Sequence, residues 1–340
     1  MRDSQSTIST HLRNFSVFAA AAILLLAGLS YFRSHAPGGA AEASLAGVFL
    51  FLLKAGVKLL PLLLTLLVEF GLALNKREFL MRLTAWRKSR RIDLYGFILS
   101  HLHKLMALLK IAFTLGIPLL LDYLVRDGMP SEFSLFVLFE RLAGYPLAIL
   151  AFVLIATFCN YWEHRLWHSA LLWPIHRFHH SATDYNVLIE TRKHFTEVLM
   201  TPLFFTLPMI LLGAPLEFVL AYLALVLFQG FMSHTDQSIS YGWIGQFLWI
   251  DPVYHKLHHS LSPDHINKNF SGTLPLWDRL FGTYAHADHP IEVGVSDGPH
   301  YATQPIWKIY LIDFSELLQN LGGAVKEALG RRGGIQAAEE

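Results

Sequence analysis

The sequence predicts an all-α fold: a polytopic helical membrane protein with a cytoplasmic, histidine-rich cap. Three observations predict it. Of 340 residues, 53% are hydrophobic and only 16% charged, where an ordinary soluble domain carries about 25% charged residues. The apolar residues come in long blocks, as membrane-spanning helices require. Finally, 11 of the 18 histidines fall between His164 and His265, where polar residues break up the apolar blocks. The formal net charge of +1 offers no surface for nucleic acid, and the single cysteine, Cys159, excludes an intrachain disulfide and a cysteine-based metal site.

The blocks follow in order. Phe15 to Leu29, preceded by Arg2 and Arg13, reads as an uncleaved first helix extending to Phe32; a signal peptide cleaved near the Ala-Glu-Ala at 41–43 is the alternative. Leu45 to Leu74 is a second span, with Lys54 and Lys58 placed to snorkel toward headgroups. Asn75 to His103 then carries seven basic residues, which marks the cytoplasmic side. Leu105 to Leu124 and Leu142 to Tyr161 make the third and fourth spans, and the fourth runs directly into the first histidines.

The next apolar stretch is interrupted by Pro208, Gly213, Ala214 and Pro215, which predicts a membrane hairpin near 198–232 that returns His234 to the side it left. The expected organisation is transmembrane helices over 1–140, a catalytic domain over 141–310, and a C-terminal helix and tail over 311–340. From Gly322 onward the tail reads as frayed.

The histidines carry the chemistry. "HRLWH" sets His164 and His168 at i and i+4, one face of a helix. "HRFHH" sets His176, His179 and His180 at i, i+3 and i+4, and "HKLHH" repeats that spacing with His255, His258 and His259. Eight imidazoles exceed the four ligands of one structural zinc, so two metal ions sharing the set is the natural count, each echoing copy supplying half of a site. Imidazole suits Zn, Cu, Fe and Ni alike. His234, emerging from the hairpin, is placed to complete the set, and His194 is an additional candidate. His265, His286, His289 and His300 lack helical partner spacing and read as surface residues. Asp278 could accept the second N–H of an imidazole, pair with Arg279 or cap a turn, while Glu190 and Arg192 are candidate outer partners. Trp162, Trp167, Trp173, Trp249 and Trp277 are expected to pack at the membrane interface, with packing in the cap as the alternative.

This series of boxes resembles the fatty acid hydroxylase or sterol desaturase superfamily of membrane di-iron enzymes. "NKNFSGTLPLWDRLFGTYAH", Asn267 to His286, is similar to that superfamily's stretch after the last box. "HTD" at 234–236 and "HHSATDYN" at 179–186 look like the alkylglycerol monooxygenase branch. The resemblance covers about Tyr161 to His286 and implies that His164, His168, His176, His179, His180, His255, His258 and His259, together with His234, ligate two iron ions facing the cytoplasm. It also implies O2 as co-substrate, an external electron donor, and hydroxylation or desaturation of a lipid C–H bond on a sterol, fatty acyl, carotenoid or ether lipid. Many members carry an acidic residue one turn before the first box, where this chain has Thr157 and Asn160. The rival reading is a histidine-rich membrane protein for metal binding or transport.

Overall fold

A computed structural model describes residues 134–336, apart from 238, 287–290, 297–300 and 302–303, together with isolated positions between 93 and 123. The first predicted spans and most of the basic loop lie outside the described residues, as do His289 and His300. The described residues are helical, with no strand beyond one isolated bridge between Ser260 and Val293.

Helix α1, Leu135–Ala143, starts where the Ser134 hydroxyl accepts from Val137 N at 3.2 Å. Gly144 then turns the chain at φ 84°, a conformation that suits glycine because it lacks a Cβ. Helix α2, Tyr145–Trp167, follows with Pro146 in its first turn. The predicted fourth span is corrected at both ends: Leu142 belongs to α1, and α2 continues past Tyr161 into the histidines. At 23 residues α2 is the one helix among those described that is long and apolar enough to cross a membrane. A rise of about 1.5 Å per residue makes its length comparable to a hydrocarbon core of about 30 Å.

Helix α3, Trp173–His180, has Pro174 in its first turn. After it, a 3-10 turn at Val187–Thr191 starts where the Asn186 side chain accepts from Leu188 N. The predicted hairpin residues fold as α4 (Phe195–Phe204), α5 (Thr206–Leu211) and α6 (Leu216–Ser233), with Gly213 at φ 82° in the turn between α5 and α6. The apolar core joins α1, α2, α5 and α6 through Phe136, Phe152, Met209, Phe218 and Tyr222. Phe152 sits at its centre, meeting Phe136 and Phe218 edge to face at centroid distances of 5.2 and 6.1 Å. Leu147, Leu150, Phe158 and Leu166 of α2 stay exposed.

Three short helices complete the region around the histidines: α7 (Trp243–Phe247), α8 (Pro252–His258) and α9 (Leu276–Leu280). The long α10, Ile306–Gln336, packs on α3, where Arg177 pairs with Asp313 and Glu316 at 3.1 and 2.8 Å. It continues through Gly322 and Gly323 to Gln336, so the segment expected to fray is helical over its described residues. Each of its five glycines costs about 1 kcal/mol against alanine, and the alanines, leucines, Lys326 and Glu327 near Gly322 and Gly323 are strong helix formers.

Helix α8 depends on Asp251, which accepts from Tyr254 N at 2.8 Å and from Tyr241 N at 3.1 Å. Asp251→Ala is expected to cost about 1–2 kcal/mol and Asp251→Asn less, read as thermal unfolding in detergent. Equal melting of all three proteins would contradict the capping role.

Candidate metal centre

Nine imidazoles gather into two groups whose ligand nitrogens lie within 4.8 Å of one another: His164, His168, His176, His180 and His258 in one, His179, His234, His255 and His259 in the other. His164 and His168 come from the end of α2, the next three from α3, His234 from the end of α6 and the last three from α8. The two groups touch where His180 stacks on His259, ring centroids 4.2 Å apart.

The two His-x-x-His-His copies do not each serve one group. His176 and His180 enter the first group while His179 enters the second; His255 and His259 enter the second while His258 enters the first. Helical geometry explains the exchange. At about 100° per residue, i and i+4 lie roughly 40° apart, whereas i+3 lies about 60° to the other side of i. Each helix therefore offers a pair to one group and a single imidazole to the other.

The Nδ1 partners decide what the ring nitrogens can do. His164 donates to the Phe270 carbonyl at 2.7 Å, His179 to Ile189 at 3.1 Å, His234 to Gly230 at 2.6 Å and His258 to Lys268 at 2.7 Å. A carbonyl only accepts, so each of these Nδ1 atoms carries the proton and each neutral ring turns a bare Nε2 inward. His179 Nε2 and His234 Nε2 stand 3.3 Å apart, lone pair facing lone pair. No proton is available to join them, because burial, reinforced by neighbouring imidazoles, pushes His179 well below the ordinary histidine range and burial pushes His234 down to about 4. A cation between the nitrogens resolves the repulsion, so the donor set fits bound metal ions.

The backbone behind these rings is irregular. Asn267 and Asn269 adopt left-handed conformations at φ 59° and 57°, which bring the carbonyls of Lys268 and Phe270 to His258 and His164. Asp278, fully buried, accepts from Phe270 N at 2.8 Å, Ser271 N at 2.7 Å, Thr283 Oγ1 at 2.7 Å and the Tyr254 hydroxyl. It holds the loop and touches no imidazole, so its action on His164 runs through Phe270.

Other expectations are also revised. His194 stands outside both groups: its Nδ1 accepts from Thr196 N at 3.3 Å as the N-cap of α4, and its Nε2 donates to the Tyr310 carbonyl at 3.0 Å. His265 is buried and bonded to Ser260. Arg192 contacts Asp93 at 2.6 Å, the Phe178 carbonyl and Ser181, and lies over the Phe178 ring, supporting the end of α3 with no hydrogen bond to an imidazole. Trp167 packs beside His176, and Trp173 beside His168 and His180, so these two cover the histidines. Thr157 accepts from Trp277 Nε1 at 3.0 Å. The sequence reading missed Glu197, whose carboxylate faces His176 Nδ1 at 3.2 Å. An acid in a first helical turn is common for dipole reasons, so its position carries no distinguishing signal.

Burial sets the pH response. His168, His179, His180, His255 and His259 are held well below the ordinary range and His258 down to about 3, desolvation being the largest cause in each case. Above the unfolded value of about 6.5 both states are neutral; below it the unfolded chain takes up protons the folded chain refuses. The metal-free protein should therefore lose stability as pH falls from about 6.5 toward 4, by up to roughly 1.4 kcal/mol per pH unit for each such histidine. A thermal midpoint in detergent that stays flat between pH 7 and 5 would contradict this burial.

A fatty acid hydroxylase family profile matches residues 149–283. The chain is 31% identical over 147 residues to an alkylglycerol monooxygenase of Xenopus tropicalis, covering 41% of this chain and 31% of that protein. It is 29% identical over 191 residues to the ornithine lipid hydroxylase OlsE of Rhizobium tropici, covering 55% of each. It is 30% identical over 162 residues to the fatty acid hydroxylase vlmA of a Lecanicillium species, covering 43% of this chain and 44% of that protein. The chain thus spans roughly a third to a half of the lengths of these relatives. No solved structure matches it significantly.

Proposed function

With residues 149–283 matching its profile, this chain belongs to the fatty acid hydroxylase superfamily, and from that footing we propose that it is an integral-membrane, O2-dependent di-iron oxygenase that hydroxylates an aliphatic C–H bond of a membrane lipid. The observation that carries the reading is the pair of bare nitrogens on His179 and His234, set within two groups of buried imidazoles. His164, His168, His176, His180 and His258 would hold one iron; His179, His234, His255 and His259 would hold the other. Two bound irons would supply the activation of O2, with electrons from an external donor.

The chain's own residues do the rest. Backbone carbonyls fix the tautomer of four rings, so the donor nitrogens are set before any ligand arrives. Trp167 and Trp173 crowd the first group and Tyr185 the second, which excludes bulk water. The exposed leucines and Phe158 of α2 offer a lipid chain an apolar approach to the end of the helix where the histidines gather. That location, at an end of α2 rather than at its middle, favours an oxygenase over a transporter, whose ionisable residues sit near the bilayer midplane. The ion pair between Arg192 and Asp93, a residue of the basic loop, supports a cytoplasmic site.

Protein purified in detergent is expected to carry close to two irons per chain by plasma mass spectrometry, with a clear loss in the His179→Ala, His258→Ala double variant, which removes one imidazole from each group. Cells expressing the parent under labelled O2 should yield a lipid carrying one labelled oxygen atom. Iron content indifferent to the double substitution would overturn the ligand set. Iron without labelled lipid would overturn the hydroxylase.

A further inference from the structure

Three charged side chains lie beside the histidine groups: Glu190 on the 3-10 turn, Lys193 in the link after it and Glu197 in the first turn of α4. Glu197 is buried, and its Oε2 has no hydrogen-bond partner; it faces His176 Nδ1, likewise without one, at 3.2 Å. Glu190 Oε2 lies 3.5 Å from His234 Nδ1, while Glu190 Oε1 accepts from Lys193 Nζ at 2.7 Å. Burial works against the charge of Lys193, but Glu190, Glu197 and Glu163 outweigh it and keep the ammonium above its ordinary range. Gly230 makes the approach of Glu190 to α6 feasible, because a Cβ there would stand 2.5 Å from its Oε2.

On the footing of the two-metal reading, we propose that Glu197, Glu190 and Lys193 form a positioning clamp that strengthens one imidazole donor in each group, His176 through Glu197 and His234 through Glu190. The contrast with the other rings carries the inference. His164, His179 and His258 are backed by neutral carbonyls alone. A carboxylate beside Nδ1–H raises the electron density on Nε2 through its negative field, in the case of Glu190 added to the Gly230 carbonyl that already accepts the His234 proton, and so makes that ring a stronger donor to a cation. One such ring stands in each group, so the clamp acts on both metals at once. Lys193, in ion contact with Glu190 and in the field of Glu197, offsets the repulsion of two carboxylates held close together.

The test is a Co2+ titration of the metal-free chain in detergent, followed by visible absorption in competition with a chelator. The parent should take up two equivalents. Glu197→Gln should weaken one equivalent by roughly 10- to 100-fold and leave the other, and Glu190→Gln should weaken the other by a similar factor. Glu197→Asp and Glu190→Asp, which keep the charge, should recover part of the loss. If Glu197→Gln fails to fold, as judged by helical circular dichroism, Lys193→Met, at a partly exposed position, should weaken both equivalents. Two equivalents in the parent with unchanged affinities in folded Gln or Met variants would overturn the clamp alone. A folded Gln variant that weakened both equivalents alike would also overturn it, since the role would then be structural. A parent that takes up no Co2+ would bring down the two-metal reading, and the clamp with it.

Discussion

The structure turns on unprotonated imidazole nitrogens held toward one another inside a dry protein. His179 and His234 present lone pairs across 3.3 Å, an arrangement that is repulsive unless a cation enters. Leaving such groups unmatched in a low-dielectric interior is costly, so what surrounds them must hold them there. The surrounding carbonyls do so one ring at a time. Each accepts an Nδ1–H and thereby commits the opposite nitrogen to the centre.

Two of those carbonyls come from irregular backbone, and the other two accept an imidazole in addition to a backbone N–H. Lys268 and Phe270 lie on a loop bent by two left-handed asparagines and pinned by Asp278. Ile189 lies on the 3-10 turn and Gly230 in the last turn of α6; their oxygens also accept from Arg192 N at 2.9 Å and His234 N at 3.3 Å, and meet the imidazole with a second lone pair. This gives a physical reading of the stretch from Asn267 to Thr283, whose polar side chains never hydrogen-bond a histidine, although the Phe270 ring packs against His164, His168 and His258. Those polar side chains fold the loop so that its main chain does.

Much was legible in the sequence. The helical class followed from the apolar blocks, and the one-sided histidine groups from their spacing. His234 was selected because the turn residues near 213 predicted that the chain doubles back. Other readings failed for definable reasons. His194 resembles a ligand by composition, yet it lies at a helix start and serves as a cap. Asp278 was weighed as an imidazole acceptor, but four donors closer to hand occupy it. Leu142 was joined to the wrong helix because hydropathy does not register a single glycine turn.

What the sequence determined by itself is local: which residues are helical, and which histidines share a face, because about 100° per residue is a property of any α-helix. What only the tertiary structure decided is how those faces meet. The exchange of His179 and His258 between groups depends on how α3 and α8 meet, and the tautomer of four of the nine rings depends on carbonyls that any residue type can supply. A backbone carbonyl leaves no mark in the amino-acid code, so the atoms that commit these nitrogens become visible only once the chain is folded.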